Sequence, residues 1–112
     1  MTLYVLNTLI VPVNFSQYSQ VTVFFRRVTV EEAKAILSSQ PFTSAVGHEA
    51  TAQLLSRLLG VKIPFNRQTI FMQPGDQAIH FFLSTRLPEG RVLSEDELKG
   101  LEYWLVLSEV KG

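Results

Sequence analysis

The chain has no cysteine, no net charge and no apolar run of membrane-spanning length. Without cysteine there can be no disulfide framework and no thiolate nucleophile, and the composition fits a reducing compartment. Ten basic side chains balance ten acidic ones, with a pI near 6.7. That balance argues against a binder of long nucleic acid, which relies on a surplus of Lys and Arg to neutralise many phosphates. The longest apolar stretches, residues 9–13 and 79–83, fall far short of the roughly 20 residues a spanning helix requires. Nor does the N-terminal segment read as a secretion signal, so a cytoplasmic protein with no membrane partner is expected. What the chain does contain is ample apolar material, 46% of 112 residues against 18% charged. That suits one domain over residues 1–112 with a real core.

Prolines stand singly where elements should end, and no linker or repeat interrupts the chain. Residues 3–6 form a short apolar run that reads as a strand, and Val21, Val23 and Phe25 alternate with Thr22, Phe24 and Arg26 as a second. Thr29 followed by Glu32 is a capping box, which predicts a helix to about residue 39. Pro41-Phe42-Thr43-Ser44 predicts the opening of a longer helix that runs to Leu59, with Val46, Ala50, Leu54 and Leu58 on one face and Gly60 as its left-handed terminator. Residues 67–73 and 77–86 flank Pro74-Gly75-Asp76 and read as a β-hairpin. A second capping box at Ser94 to Glu97 predicts a short helix ending at Gly100, and residues 101–110 read as a final strand. The expected fold is therefore a single α/β domain with a mixed sheet of about five strands flanked by helices.

No P-loop, dinucleotide-binding glycine pattern, nucleophile elbow or metal-ligand spacing occurs, so neither a cofactor nor a metal is implied. The informative segment is Ser44-Ala45-Val46-Gly47-His48, placed by the pattern in the first turn of the long helix. Free backbone N–H groups and the positive end of the helix dipole attract anions there. Gly47 would let a phosphate approach the backbone, and His48, about one turn in, would sit where it can exchange a proton with a phosphate ester oxygen. A histidine near a helix cap is also often just a hydrogen-bonding residue. Arg67 and Arg86 open and close the two hairpin strands, which puts both guanidinium groups at one end of the hairpin as a clamp on phosphate or as ordinary surface charge. Glu89 is a loop carboxylate that could orient an arginine or take a proton, and His80 reads as a structural or face-exposed strand residue.

Three blocks in order, residues 42–52 with Ser44-x-x-Gly47-His48, then Pro64-Phe65-Asn66-Arg67, then Thr85-Arg86-Leu87-Pro88-Glu89-Gly90, resemble the type III anti-CRISPR ring nucleases. These are small proteins of archaeal viruses, phages and bacterial mobile elements, and the similarity runs along nearly the whole chain. The resemblance implies a two-fold homodimer that cleaves cyclic tetra-adenylate, without a metal, into linear diadenylate bearing a 2′,3′-cyclic phosphate. By that resemblance His48 protonates the departing 5′-oxygen, Arg86 and Arg67 hold phosphate charge, and Glu89 assists the proton transfers. It further implies ligand contacts from Ser44, Gly47 and Asn66. Some relatives carry a serine after the first strand where this chain has Asn7-Thr8, and those two residues are the expected contacts there. The competing expectation is a noncatalytic dimer that sequesters a cyclic oligonucleotide or binds DNA as a regulator.

Overall fold

A computed structural model describes residues 1–83 and 102–112. The described elements are strands β1 (Leu3–Leu6) and β2 (Thr22–Val28), helix α1 (Val30–Ser39), strand β3 (Thr43–Ser44), helix α2 (Glu49–Leu59), and strands β4 (Gln77–Leu83) and β5 (Tyr103–Lys111). The five strands form one sheet in the order β2-β5-β4-β1-β3. β1 runs parallel to both β3 and β4, while β5 is antiparallel to both β4 and β2. The result is the expected α/β domain with a mixed five-stranded sheet.

Alternation along the strands divides the core in two. Leu3 and Val5 of β1, Ile79 and Phe81 of β4 and Leu105 of β5 face α1 and α2, meeting Ala33, Leu37, Leu54, Leu55 and Leu59 in the larger cluster. Full burial of a side chain such as Leu54, 0% exposed, stabilises the fold by about 1.5–3 kcal/mol relative to leaving it in water. On the opposite face Leu6, Ala78 and Val110 are covered by loop residues, chiefly Met72 with Ile70, Val11 and Val21. Among the described residues, loops and not helices cover that face.

α1 begins as its capping box dictates. The Thr29 side chain accepts from the Glu32 N–H at 3.1 Å, and the Glu32 carboxylate accepts from the Thr29 N–H at 3.2 Å. Arg26 donates to the same carboxylate at 2.8 Å, and this bond, with that from Thr29, holds Glu32 below the ordinary carboxylate range. α2 ends at Gly60, whose φ of 64° is the left-handed conformation that glycine adopts without steric cost.

Two expected elements are replaced. The long helix does not open at residues 41–44: Thr43 and Ser44 pair in parallel with Tyr4 and Val5, and the helix starts only after His48. Backbone bonds to β1 satisfy the donors that a helical turn would have left free, so Val46 is a core residue ahead of the helix and not on its face. Nor does the hairpin form. β4 is flanked by β1 on one side and β5 on the other, so no edge remains for residues 67–73, which carry no strand and cross the face opposite α1 and α2 instead. Met72, 0% exposed, anchors that crossing, with its N–H bonded to the Pro12 carbonyl at 2.8 Å. The Pro74-Gly75-Asp76 turn survives as a lock. Asp76 accepts from the N–H groups of Gln73 and Thr2, both at 2.9 Å, tying the start of β4 to the segment entering β1. The helix expected over residues 94–100 lies outside the described residues.

Candidate functional site

Parallel β1 and β3 end side by side, and the chain leaving each passes close to the other. In open α/β sheets ligands bind beyond the carboxyl ends of such strands. From β1 the chain continues into Asn7 and Thr8; from β3 it continues through Ala45, Val46 and Gly47 to His48, the N-cap of α2. A third segment, residues 64–67, runs beside the second, with a bridge between Val46 and Phe65 and the Asn66 N–H bonded to the Val46 carbonyl at 2.9 Å. Asn66 also donates through its side chain to the Ser44 carbonyl at 2.8 Å.

This alignment brings Arg67 to Gly47 by a route unrelated to a hairpin. A Cβ built on Gly47 would stand 3.3 Å from Arg67 Cγ and 3.7 Å from Arg67 Cβ. The absent side chain therefore leaves room for the arginine stem to cross the backbone here, while the Arg67 side chain stays exposed. The Gly47 N–H meets Asn7 Oδ1 at 3.4 Å, a long contact that a charged oxygen could replace.

His48 is half-buried and serves as the helix cap, not as a residue one turn in. Its Nδ1 accepts from the Thr51 N–H at 3.3 Å and lies 3.1 Å from the Thr51 hydroxyl. Accepting at Nδ1 assigns the neutral ring's proton to Nε2. On protonation Nδ1 becomes a donor, and the Thr51 hydroxyl is then the group able to accept from it. Thr51 thus offers the imidazole a partner in both charge states. Sequence reasoning passed over Thr51, although its spacing three residues after the cap is that of a capping box.

The other expected residues separate. Ser44 is buried, and its hydroxyl donates to the Pro64 carbonyl at 2.6 Å while accepting from the Val46 N–H at 3.3 Å, so it holds the backbone frame of the site. Thr8 is exposed, and its carbonyl is bonded to His80 Nδ1 at 2.7 Å. Arg86 and Glu89 lie outside the described residues. Because residues 67–73 form no strand, the argument that put Arg67 and Arg86 at one end of a hairpin falls with the hairpin.

Fold and site together define a small single-domain α/β protein in which a histidine-capped helix starts at the carboxyl edge of parallel strands. More narrowly, the chain belongs to the STIV B116-like family, whose model matches residues 3–105. Relatives occur in archaeal viruses. Protein 26 of Sulfolobus islandicus filamentous virus is 40% identical over 109 residues, spanning 96% of this chain and 91% of the relative. ORF117 of Acidianus two-tailed virus is 46% identical over 109 residues, spanning 93% and 91%. A bacterial relative, YddF of Bacillus subtilis, is 35% identical over 83 residues, 72% of this chain and 77% of its own length. The solved structure of B116 from Sulfolobus turreted icosahedral virus superposes with a TM-score of 0.75 over 100% of both chains, at 24% identity, a likeness of fold. No helix among the described residues is long and apolar enough to cross a membrane.

Proposed function

We propose that this protein is a metal-independent ring nuclease that opens cyclic tetra-adenylate and thereby silences the nucleases this messenger activates in type III CRISPR immunity. The observation that carries the reading is the convergence of Gly47, His48 and Arg67 on the start of α2, with Asn7 against the Gly47 N–H. A backbone donor, a helix dipole and an arginine whose stem passes beside them would form a seat for a single phosphate. One such seat per subunit requires no basic surface, which agrees with a chain of zero net charge.

In the reaction a ribose 2′-oxygen bonds to the adjacent phosphorus while the bond from phosphorus to the 5′-oxygen breaks. The hydroxyl proton leaves to a base, and the 5′-oxygen takes up a proton, giving a 2′,3′-cyclic phosphate and a free 5′-hydroxyl. His48 delivers that proton from the imidazolium, with the Thr51 hydroxyl accepting from Nδ1. Arg67 and the Gly47 N–H stabilise charge that grows on the phosphoryl oxygens. Arg86 and Glu89 take the clamp and proton-transfer roles that the sequence resemblance assigns to them. In a two-fold homodimer, two copies of His48 would face equivalent phosphates of a four-nucleotide ring, so two cuts yield two diadenylates. The compartment of action is the cytoplasm of a bacterial or archaeal cell.

Because His48 also caps α2, the same geometry would suit a protein that holds the ring without cutting it. Incubation with cyclic tetra-adenylate in EDTA, followed by chromatography, separates the two. Linear products ending in a cyclic phosphate are expected. A ligand that is bound but intact after prolonged incubation would replace the enzyme with a sequestering protein.

A further inference from the structure

His80 is the one fully buried imidazole among the described residues, and the proposed reaction makes no use of it. It lies on β4 beside Leu6 of β1, at the point where β1 leaves the sheet. An aliphatic side chain would fill this sheet position without the desolvation that a buried imidazole incurs. Both ring nitrogens are nevertheless engaged. Nδ1 is 2.7 Å from the Thr8 carbonyl, and Nε2 is 2.6 Å from the hydroxyl of Ser108, itself 0% exposed on β5. A carbonyl only accepts, so Nδ1 carries the proton and Nε2 accepts from the Ser108 hydroxyl. With the ring neutral, the network has a single arrangement of protons, and satisfied buried networks of this kind fix geometry more than they add stability.

What it fixes is the Asn7-Thr8 turn. Thr8, Leu9 and Ile10 are all exposed, so apolar packing does little to hold the chain there. One residue before the anchored carbonyl, the Asn7 carboxamide meets the Gly47 N–H. We propose that His80 is a positioning residue for the candidate phosphate seat: by donating from Nδ1 to the Thr8 carbonyl, with Ser108 holding its ring, it sets where Asn7 stands over Gly47. The proposal deepens the ring-nuclease reading, since it names the buried contact that prepares that site for a phosphate.

Two amide substitutions separate positioning from general support of the core. In His80→Asn the amide nitrogen sits on Cγ, as Nδ1 does, and can still donate to Thr8. In His80→Gln it sits one atom further out, as Nε2 does, and reaches toward Ser108 instead. Both lose one buried hydrogen bond, so a purely structural role would lower the melting temperature and weaken binding alike in the two. Positioning predicts a split. His80→Asn should keep the wild-type amide resonance of Gly47 in ligand-free heteronuclear NMR and bind cyclic tetra-adenylate within about twofold, whereas His80→Gln should shift that resonance and bind about tenfold more weakly. A Gly47 resonance that moves equally in both variants, or in neither, would overturn the proposal. Should either variant fail to fold, the ring nitrogens of wild-type His80 decide: a protonated Nδ1 and a bare Nε2 are required, and the opposite tautomer refutes the scheme. If wild-type protein binds no cyclic tetra-adenylate, the ring-nuclease reading fails while the Gly47 resonance still judges the role of His80.

Discussion

Replacing His48 tests two duties of one side chain at once. As the cap of α2 its Nδ1 accepts from the Thr51 N–H, and losing a cap costs about 1 kcal/mol. A chain of 112 residues unfolds with an entropy near 0.24 kcal/mol/K, taking roughly 2.1 cal/mol/K per residue, so that loss lowers Tm by about 4 °C. As the proposed general acid it would contribute a rate factor on the order of 100. His48→Ala removes both duties, so Tm should fall by about 4 °C and single-turnover cleavage about 100-fold, with binding of cyclic tetra-adenylate largely kept. His48→Asn restores a good capping oxygen but no proton donor. It should recover most of the lost Tm and none of the cleavage. The assays are thermal unfolding and single-turnover product formation on the same preparations. If Asn rescues neither property, the capping geometry is wrong; if it rescues cleavage, His48 is not the acid.

Three further perturbations follow from contacts described above. In Gly47→Ala the new methyl would lie 3.3 Å from Arg67 Cγ, near the root of that side chain and 3.8 Å from its Cα, so Arg67 must give way by a few tenths of an ångström and affinity for cyclic tetra-adenylate should drop several-fold; unchanged affinity in a calorimetric titration would remove Gly47 from the seat. Burial pushes the His80 imidazole below its ordinary value, with the Thr8 hydrogen bond acting in the opposite direction. The unfolded chain therefore binds more protons as pH falls through about 6.5, and stability is full above that pH and declines below it. Urea unfolding over a pH series should show this slope in the wild type and a flatter one in His80→Phe, whereas identical slopes would contradict it. Thr29→Ala breaks the capping box of α1 and should lower stability by about 1 kcal/mol in the same urea assay with cleavage unaffected; no loss would mean that the box adds nothing in solution.

Where the fold was legible in the sequence, the determinant was local. Residues 3–6 carry their strand in a short apolar run, Thr29 and Glu32 announce α1 three positions apart, and Gly60 marks the end of α2. Where the reading failed, a distant partner decided. Thr43 and Ser44 sit in a stretch that Pro41 makes look like a helix start, yet β1, some forty residues earlier, takes them as a strand. His48 hid the true start because the helix is capped by an imidazole in place of the usual short oxygen side chain. Residues 67–73 lead into a Pro74-Gly75-Asp76 turn that suggests a hairpin, but both sides of β4 are occupied. The site was read in part: Gly47 and His48 stand at the helix start and Arg67 beside them, but the contact between Arg67 and Gly47 arises from the run of 64–67 along 44–47. Thr51 was passed over because it acts through a tautomer, and His80, read as a structural or face-exposed strand residue, is buried inside the sheet.

The strand order also has a consequence in time. Leu3 to Leu6 pair with Gln77 to His80, far later in the chain, and β4 in turn pairs with β5. β5 stands between β2 and β4, so until it arrives the sheet exists as two unjoined pieces, with Val28 and Phe81 lacking the neighbour that unites them. Such long-range pairings close slowly, and on a ribosome the nascent sheet would stay open until β5 had emerged. A protein arranged this way commits to its structure in one step, so removing β5 would cut the sheet through its middle and not trim its edge.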